Sequence, residues 1–368
     1  MTGHALEMRP DLITPADRPY LERACALAAR ALGDTSPNPP VGAVVVKGGK
    51  IIGEGFHHAA GADHAETVAL RAAGDARGAT LYVSLEPCNH QGKTPPCTAA
   101  ILATGIARVV AGIEDPNPQT ARGGIDSLRA GGVIVHVADD AHARALAEPF
   151  SRAIIQESRP YLVLKMATTL DGYVTRNRQT QQWLTGEPAR AYVRDLRIAY
   201  EAVMVGAGTI RVDNAQLTVR PPHPRHVPYR RIIVCGNGPL SSDASVFQTG
   251  LLYERTIVLA PTSRRTSFEA LQDVAEVIFV EGNSSLDLRE AMHMLRTRGI
   301  QSILCEGGPG LARSLLKCGL VDRFYWLIAP ISSGQGISLF EPLSFPSIDF
   351  DAAEMLGPDL LLQGVVNV

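Results

Sequence analysis

The sequence predicts a two-domain α/β protein whose first domain is a three-layer α/β/α sandwich. Three observations carry this reading. The chain has 368 residues, and at roughly 100–200 residues per domain that length makes two domains. Short β-rich runs alternate with apolar patterns of helical period in both halves. The pattern then restarts after Arg159-Pro160 with YLVLKMATTLDGYV, which places a boundary near residues 150–158. The predicted organisation is a flexible tail over 1–19, a first domain over 20–152 and a second over 158–368.

The elements follow in order. Residues 20–32 read YLERACALAARAL, apolar at helical spacing and stopped by Gly33. Val- and Ile-rich runs on either side of Gly48-Gly49 predict a hairpin. A helix over 65–73 opens on His64, and a strand over 80–85 ends at Glu86-Pro87. Helix 98–104, strand 108–113, helix 125–130 and strand 133–137 continue the alternation, and a helix over 141–157 closes the half. The second half predicts strands near 161–166, 202–206, 231–235, 255–260, 276–280, 302–305 and 323–329. Helices fall near 187–199, 265–272, 287–298 and 309–317, with a Pro-rich loop over 220–228.

Composition excludes several classes. Hydrophobic residues make up 45% and charged residues 20%, which is globular and not disordered. The net charge of −2 lacks the basic footprint of a nucleic-acid binder, and 5% aromatics offer few stacking platforms for single strands. No apolar run approaches the ~20 residues of a membrane span. The N-terminal stretch carries acids and three prolines with no apolar core, unlike a secretory signal. Six Cys are too few for a disulfide scaffold, so a reducing cytoplasm is the expected location. There, neighbouring Cys and His point to metal or catalysis.

Three fragments supply that chemistry: His64-Ala65-Glu66, Pro87-Cys88 and Pro96-Cys97. One imidazole and two thiolates suit Zn²⁺ with a fourth position for water, whose pKa the metal lowers toward ~7. Glu66 lies two residues beyond His64 at a helix start, where its carboxylate can shuttle protons without being a ligand. His-x-Glu followed by Pro-Cys and a second Cys is the zinc base-deaminase signature. Eight residues separate the two Cys here, a polar loop suited to a substrate larger than a bare base. Cys25, Cys235, Cys305 and Cys318 match no ligand motif and read as packing residues.

LEPCNHQGKTPPC, with SPNPPVGAVVV, GEGFHHAAGADHAE and EDPNP, closely resembles the bifunctional riboflavin-biosynthesis deaminase/reductase family, over nearly the whole chain from about residue 20. The resemblance implies a cytidine-deaminase-like domain followed by a dihydrofolate-reductase-like domain. It implies deamination of 2,5-diamino-6-ribosylamino-4(3H)-pyrimidinone 5′-phosphate, then reduction of the ribosyl to a ribityl chain by NADPH. It implies His64, Cys88 and Cys97 as zinc ligands, Glu66 as proton shuttle, Asn38 and His57 near the pyrimidine, and His90, Lys93 and Thr94 as substrate contacts. A homo-oligomer, dimer or tetramer, is also implied, with a small phosphorylated substrate and neither nucleic acid nor membrane as partner.

In the second half CEGGPGLARSLL places Glu306-Gly307-Gly308 between a strand and a helix, where backbone N–H groups can approach a phosphate. It is not a GxGxxG fingerprint, so a conventional Rossmann reading is poor. With LKMATTLDGYV, QQWLTG and VGAGTIRVDNAQLTVR it resembles the family's reductase domain. That implies NADPH contacts at Ala167, Trp183, Thr209, Asp213, Gly308, Pro309, Gly310, Leu311, Ala312, Arg313 and Ser314. It implies substrate contacts at Lys165, Gln181, Arg197, Leu217, Arg220 and Glu306. Arg197 and Arg220 suit a ribose phosphate, since guanidinium matches it bidentately. Lys165 and Asp213 are the catalytic candidates near the carbon that accepts hydride.

This sequence departs from the family pattern at Gln181, where a small Ser is usual, and at Asn214-Ala215, where Asp-Pro is usual. These departures motivate a second reading: a deaminase paralogue of another pyrimidine-derived, pteridine-like or azapteridine pathway, with an altered or inactive reductase half.

Overall fold

The computed structural model describes residues 13–91, 95–118, 120–156, 158–175, 183–220, 225–236, 238–248, 256–282, 286–340 and 346–367. It divides into two compact units, Met1–Ile155 and Gln156–Val368.

In the first unit Gly48 and Gly49 take φ of 58° and 75°, the left-handed pair a two-residue hairpin turn needs. About that turn β1 (Gly42–Lys47) and β2 (Lys50–Phe56) pair antiparallel. With β3 (Thr80–Leu85), β4 (Arg108–Ile113) and β5 (Ile134–Val137) they form a sheet of order β2-β1-β3-β4-β5, parallel from β3 onward. Strand alternation assigns the layers. Ala43, Val45, Leu81, Val83 and Val109 pack on α2 (Ala65–Ala73), α3 (Cys97–Ala103) and α4 (Gly123–Ala130). Val44, Val46, Tyr82 and Val110 pack on α1 (Arg18–Ala29), and α5 (Ala141–Ile155) adds Ala143 and Ala147 against Leu85 and Ile113. This is the expected three-layer sandwich. Gly53 and Gly55 let α2 lie directly on β2: a Cβ there would come within 2.3 Å of the Ala69 carbonyl and 2.6 Å of the Ala65 carbonyl. That close approach fixes where α2 starts, and hence where His64 stands.

The expected tail through residue 19 gives way earlier to structure. The helix starts at Arg18, and Asp17 before it is only 5% exposed. Its carboxylate accepts from Tyr82 Oη at 2.6 Å and from the two Arg108 Nη atoms at 2.6 and 3.1 Å. Burial alone would raise the pKa of Asp17, but Arg108, Tyr82 and the Thr14 N–H hold it well below the ordinary carboxylate range. A depressed folded-state pKa means the unfolded chain takes up the proton first as pH falls. The stabilisation is therefore complete above about pH 4 and is lost progressively below it. Asp17→Asn should cost about 3–5 kcal/mol at neutral pH, because it removes the carboxylate that balances the half-buried Arg108 guanidinium. Urea melts at neutral and acid pH check this: the difference between variant and parent should shrink as pH falls.

In the second unit the sheet order is β11-β10-β9-β8-β12-β6-β13-β16-β15. The strands are β6 (Tyr161–Thr169), β8 (Ala202–Gly206), β9 (Arg230–Val234), β10 (Thr256–Pro261), β11 (Ala275–Val280), β12 (Ser302–Gly307) and β13 (Arg323–Ala329), all parallel. β15 (Ile348–Leu356) and β16 (Asp359–Val366) extend the sheet antiparallel beyond β13. β7 (Tyr173–Thr175) and β14 (Ile337–Ser338) form a separate pair. The helices are α6 (Glu187–Leu196), α7 (Ala207–Asp213), α8 (Leu288–Thr297) and α9 (Pro309–Lys317). The segment expected as a helix over 265–272 is a run of 3-10 turns, Thr262–Leu271, broken at Arg264. The sequence pattern does not foretell α7, β7, β14, β15 or β16. No helix among the described residues is long and apolar enough to cross a membrane.

Candidate functional site

In the first unit three backbone junctions converge. His64 is the N-cap of α2, Cys97 is the first residue of α3, and Cys88 lies on the loop after β3. The Cys97 N–H donates to Cys88 Sγ at 3.4 Å and the Thr98 N–H to the Cys88 carbonyl at 3.2 Å, so the α3 start holds the loop. His64 Nδ1 lies 3.2 Å from Cys97 Sγ and 3.4 Å from Cys88 Sγ, and all three donor atoms fall within 4.8 Å of one another. A tetrahedral zinc site with bonds of roughly 2.0–2.3 Å spaces its donors by about 3.5 Å. The residues therefore fit zinc in kind and in spacing. The Cys97 thiol, and against burial the His64 ring, draw the Cys88 thiol below its usual pKa, toward the thiolate that a metal takes.

Glu66 is 3% exposed on the first turn of α2, with its carboxyl against the Cys97 thiol. Burial, helped by the neighbouring Cys88 charge, pushes it up to about 7. A carboxyl group poised there can both take and give a proton at neutral pH. His57 is 3% exposed, and its ring meets the His64 ring edge-on at 5.3 Å. Its Nε2 lies 3.1 Å from Asn38 Nδ2. The structure thus gathers Asn38, His57, His64, Glu66, Cys88 and Cys97. His90 stands exposed on the loop between the cysteines, while Lys93 and Thr94 lie outside the described residues.

One residue of this site escapes sequence reasoning. The Glu86 carboxylate, 5% exposed, accepts from four backbone N–H groups: Asp115, Arg122, Gly124 and Ile125, at 2.9, 3.0, 2.9 and 3.1 Å. It ties the Asp115 and Arg122 backbone and the start of α4 to the strand end that leads to Cys88. Gly124 presses on the same loop, since a Cβ there would sit 1.8 Å from the Pro87 carbonyl. Glu86→Gln turns an amide N–H₂ toward those donors. It should lower zinc affinity roughly 10–100-fold, the range typical of lost outer-shell support. Chelator competition on the purified protein measures it.

In the second unit an open cavity of about 1840 Å³ lies at the carboxyl ends of β6, β8 and β12. Crevices outside parallel strand ends are where such sheets bind ligands. Lys165 and Glu306 line it, with Ala167, Trp183, Thr209, Asp213, Gly308, Pro309, Gly310, Leu311, Arg313 and Ser314. Ala312 turns the other way, fully buried in the core, because α9 shows only one face to the cavity. Gly307 and Gly308 take φ of 86° and 84°. L side chains rarely adopt the Gly307 φ, so the turn that opens α9 favours glycine there.

Arg197, expected at a substrate phosphate, is paired with a carboxylate here. Its guanidinium grips the Glu306 carboxylate bidentately and donates to the Thr218 carbonyl at 3.0 Å. Leu217, expected at the substrate, is 4% exposed in the core with φ of 55°, and its left-handed turn precedes that carbonyl. Arg220 is exposed and bonds Thr218 Oγ1 at 2.9 Å. Burial, and then Arg197, push the Lys165 amine below its usual pKa while Glu306 works against them. Burial alone would raise the pKa of Glu306, but Arg197 and Lys165 hold it below the usual range. Burial raises Asp213. Asn214 caps α7 in the left-handed conformation, which Asn tolerates. Gln181 lies outside the described residues.

Two family profiles match the chain. The cytidine and deoxycytidylate deaminase zinc-binding region covers residues 15–113, and the RibD C-terminal domain covers residues 160–362. Riboflavin biosynthesis protein RibD of Aquifex aeolicus is 39% identical over 95% of this chain and 99% of its own length. The Escherichia coli protein of that name is 37% identical over 94% and 98%. A Thermotoga maritima structure described as a diaminohydroxyphosphoribosylaminopyrimidine deaminase/5-amino-6-(5-phosphoribosylamino)uracil reductase superposes with a TM-score of 0.78. Its sequence identity is 35%, and the match covers 96% of this chain and 99% of that one.

Proposed function

This chain belongs to the RibD family of riboflavin-biosynthesis deaminase/reductases, and on that premise we propose how its residues divide the work. It deaminates a phosphorylated ribosylaminopyrimidine and then reduces the ribosyl group, with Zn²⁺ and NADPH as cofactors. The second reading, an altered reductase, is not favoured, since the reductase-domain profile matches throughout 160–362.

Residues 20–152 carry the deaminase and 158–368 the reductase; the division of the fold at Ile155 supports this. His64, Cys88 and Cys97 hold the zinc, which when bound supplies an acidified water as nucleophile. The Glu66 carboxylate would carry one proton from the nucleophilic water to the ring nitrogen, then a second from the resulting hydroxyl to the amine, which leaves as ammonia. Asn38 and His57 orient the ring, and His90, Lys93 and Thr94 reach the rest of the substrate. The observation that carries this reading is the convergence of His64, Cys88 and Cys97 beside a buried Glu66.

In the reductase half NADPH supplies the hydride. Trp183, Thr209 and the turn at Gly308 receive the dinucleotide. Lys165 and Asp213, which line the same cavity, serve the sugar carbon. Lys165 and Arg197 both act on the Glu306 carboxylate. The exposed Arg220 guanidinium meets the phosphate of the substrate. We assign the enzyme to the cytoplasm, where six unpaired cysteines stay reduced. We further assign it a homo-oligomeric state, dimer or tetramer, supported by exposed Phe350 and Met355 on the edge strand β15. Light scattering tests the latter.

Zinc-loaded protein given the diaminopyrimidine ribosyl phosphate should release ammonia, and with NADPH present should also oxidise it. No ammonia, or ammonia surviving both Glu66→Ala and Cys88→Ser, overturns the deaminase assignment. Ammonia without NADPH oxidation overturns the reductase assignment.

A further inference from the structure

The Asn38 backbone is pinned on both sides. Its N–H donates to the Thr35 carbonyl at 2.9 Å, and its own carbonyl accepts from Thr35 Oγ1 at 2.9 Å. What remains free is which end of the side-chain amide faces the pocket. His57 decides it. Its Nδ1 lies 3.1 Å from the Asp63 main-chain carbonyl, and a carbonyl oxygen only accepts, so Nδ1 carries the hydrogen. The atom 3.1 Å from Nε2 is Asn38 Nδ2, an amide nitrogen that only donates, so Nε2 is bare and accepts and the ring is the Nδ1–H tautomer. Oδ1 is left as an acceptor on a half-buried residue, next to a ring that abuts the ligand His64.

We propose that His57 is a positioning residue which, as the Nδ1–H tautomer set by the Asp63 carbonyl, fixes the Asn38 amide so that Oδ1 accepts an N–H of the pyrimidine. The pocket is then selective for rings with a hydrogen on that edge, as an aminopyrimidinone has, and discriminates against rings with a lone pair there. The chain of contacts also ties this selectivity to the metal helix, because Asp63 immediately precedes His64. The inference rests on the deaminase reading and refines it.

The test uses zinc-loaded, ¹⁵N-labelled full-length protein. Imidazole ¹⁵N shifts distinguish the two neutral tautomers, and the His57 signal is the one lost in His57→Phe. Nδ1–H is expected; Nε2–H overturns the proposal. Steady-state ammonia release then compares two variants. His57→Phe frees the amide and should lower kcat/KM roughly tenfold to a hundredfold, mainly through KM, with zinc content unchanged. His57→Gln can donate to Asp63 and accept from Asn38, and should recover most of the loss. Equal loss in both variants overturns the relay. Should neither variant fold, the parent spectrum decides, its His57 signal then assigned through the ring contact to His64. Parent protein that releases no ammonia sinks the deaminase reading instead, whatever the tautomer.

Discussion

Glu66→Gln should lower ammonia release by about 10²–10⁴-fold while the protein keeps its zinc. The amide has the carboxyl's shape but cannot carry a proton from the attacking water to the ring nitrogen and the leaving amine. His64, Cys88 and Cys97 are untouched, so metal content should match the parent. Stability should hold or rise slightly, because burial already disfavours the Glu66 charge and an amide removes it. NADPH oxidation with pre-deaminated substrate should be unchanged, since the cavity lined by Lys165 and Glu306 lies in the other unit. The contrast is Cys88→Ser, which should lose both zinc and ammonia release. Metal analysis beside single-turnover ammonia assays separates the two. A Glu66→Gln protein within about tenfold of the parent rate would assign the proton transfer to another group.

What the sequence makes legible here is whatever lies within one local segment. His64, Glu66, Cys88 and Cys97 announce themselves because each ligand stands at a junction of strand or helix that the hydrophobic pattern already marks. The Gly48-Gly49 hairpin is readable for the same reason. Glu86 is opaque because its role depends on backbone N–H groups arriving from positions 29 to 39 residues later. Asp17 reads as part of a tail, since its partners Tyr82 and Arg108 are 65 and 91 positions away. Strand β15, IDFDAAEML, has almost no buried face, so no alternation marks it, and pairing with β16 alone makes it a strand. Arg197 reads as a phosphate contact, and its pairing with Glu306 is not legible because that partner lies 109 residues on.

That last pairing sets the second large expectation. Glu306 is the anion between Arg197 and Lys165, and its side chain is 10% exposed. Glu306→Ala leaves two cations facing each other in a poorly solvated place. Breaking a buried pair from one side costs about 3–5 kcal/mol, so the second unit should melt well below the parent. The Lys165 amine, which Glu306 holds up, should fall further in pKa. NADPH oxidation should disappear, while ammonia release persists because the His64–Cys88–Cys97 cluster is in the first unit. A double variant, Arg197→Leu with Glu306→Leu, separates stability from chemistry. Exchanging a whole buried pair for apolar side chains is often neutral or stabilising. The double variant should therefore recover most of the lost stability and still fail to oxidise NADPH. Recovery of reduction along with stability would show that the pair only props up the fold. Failure to recover either would mean that the cavity needs its charge balance to fold at all.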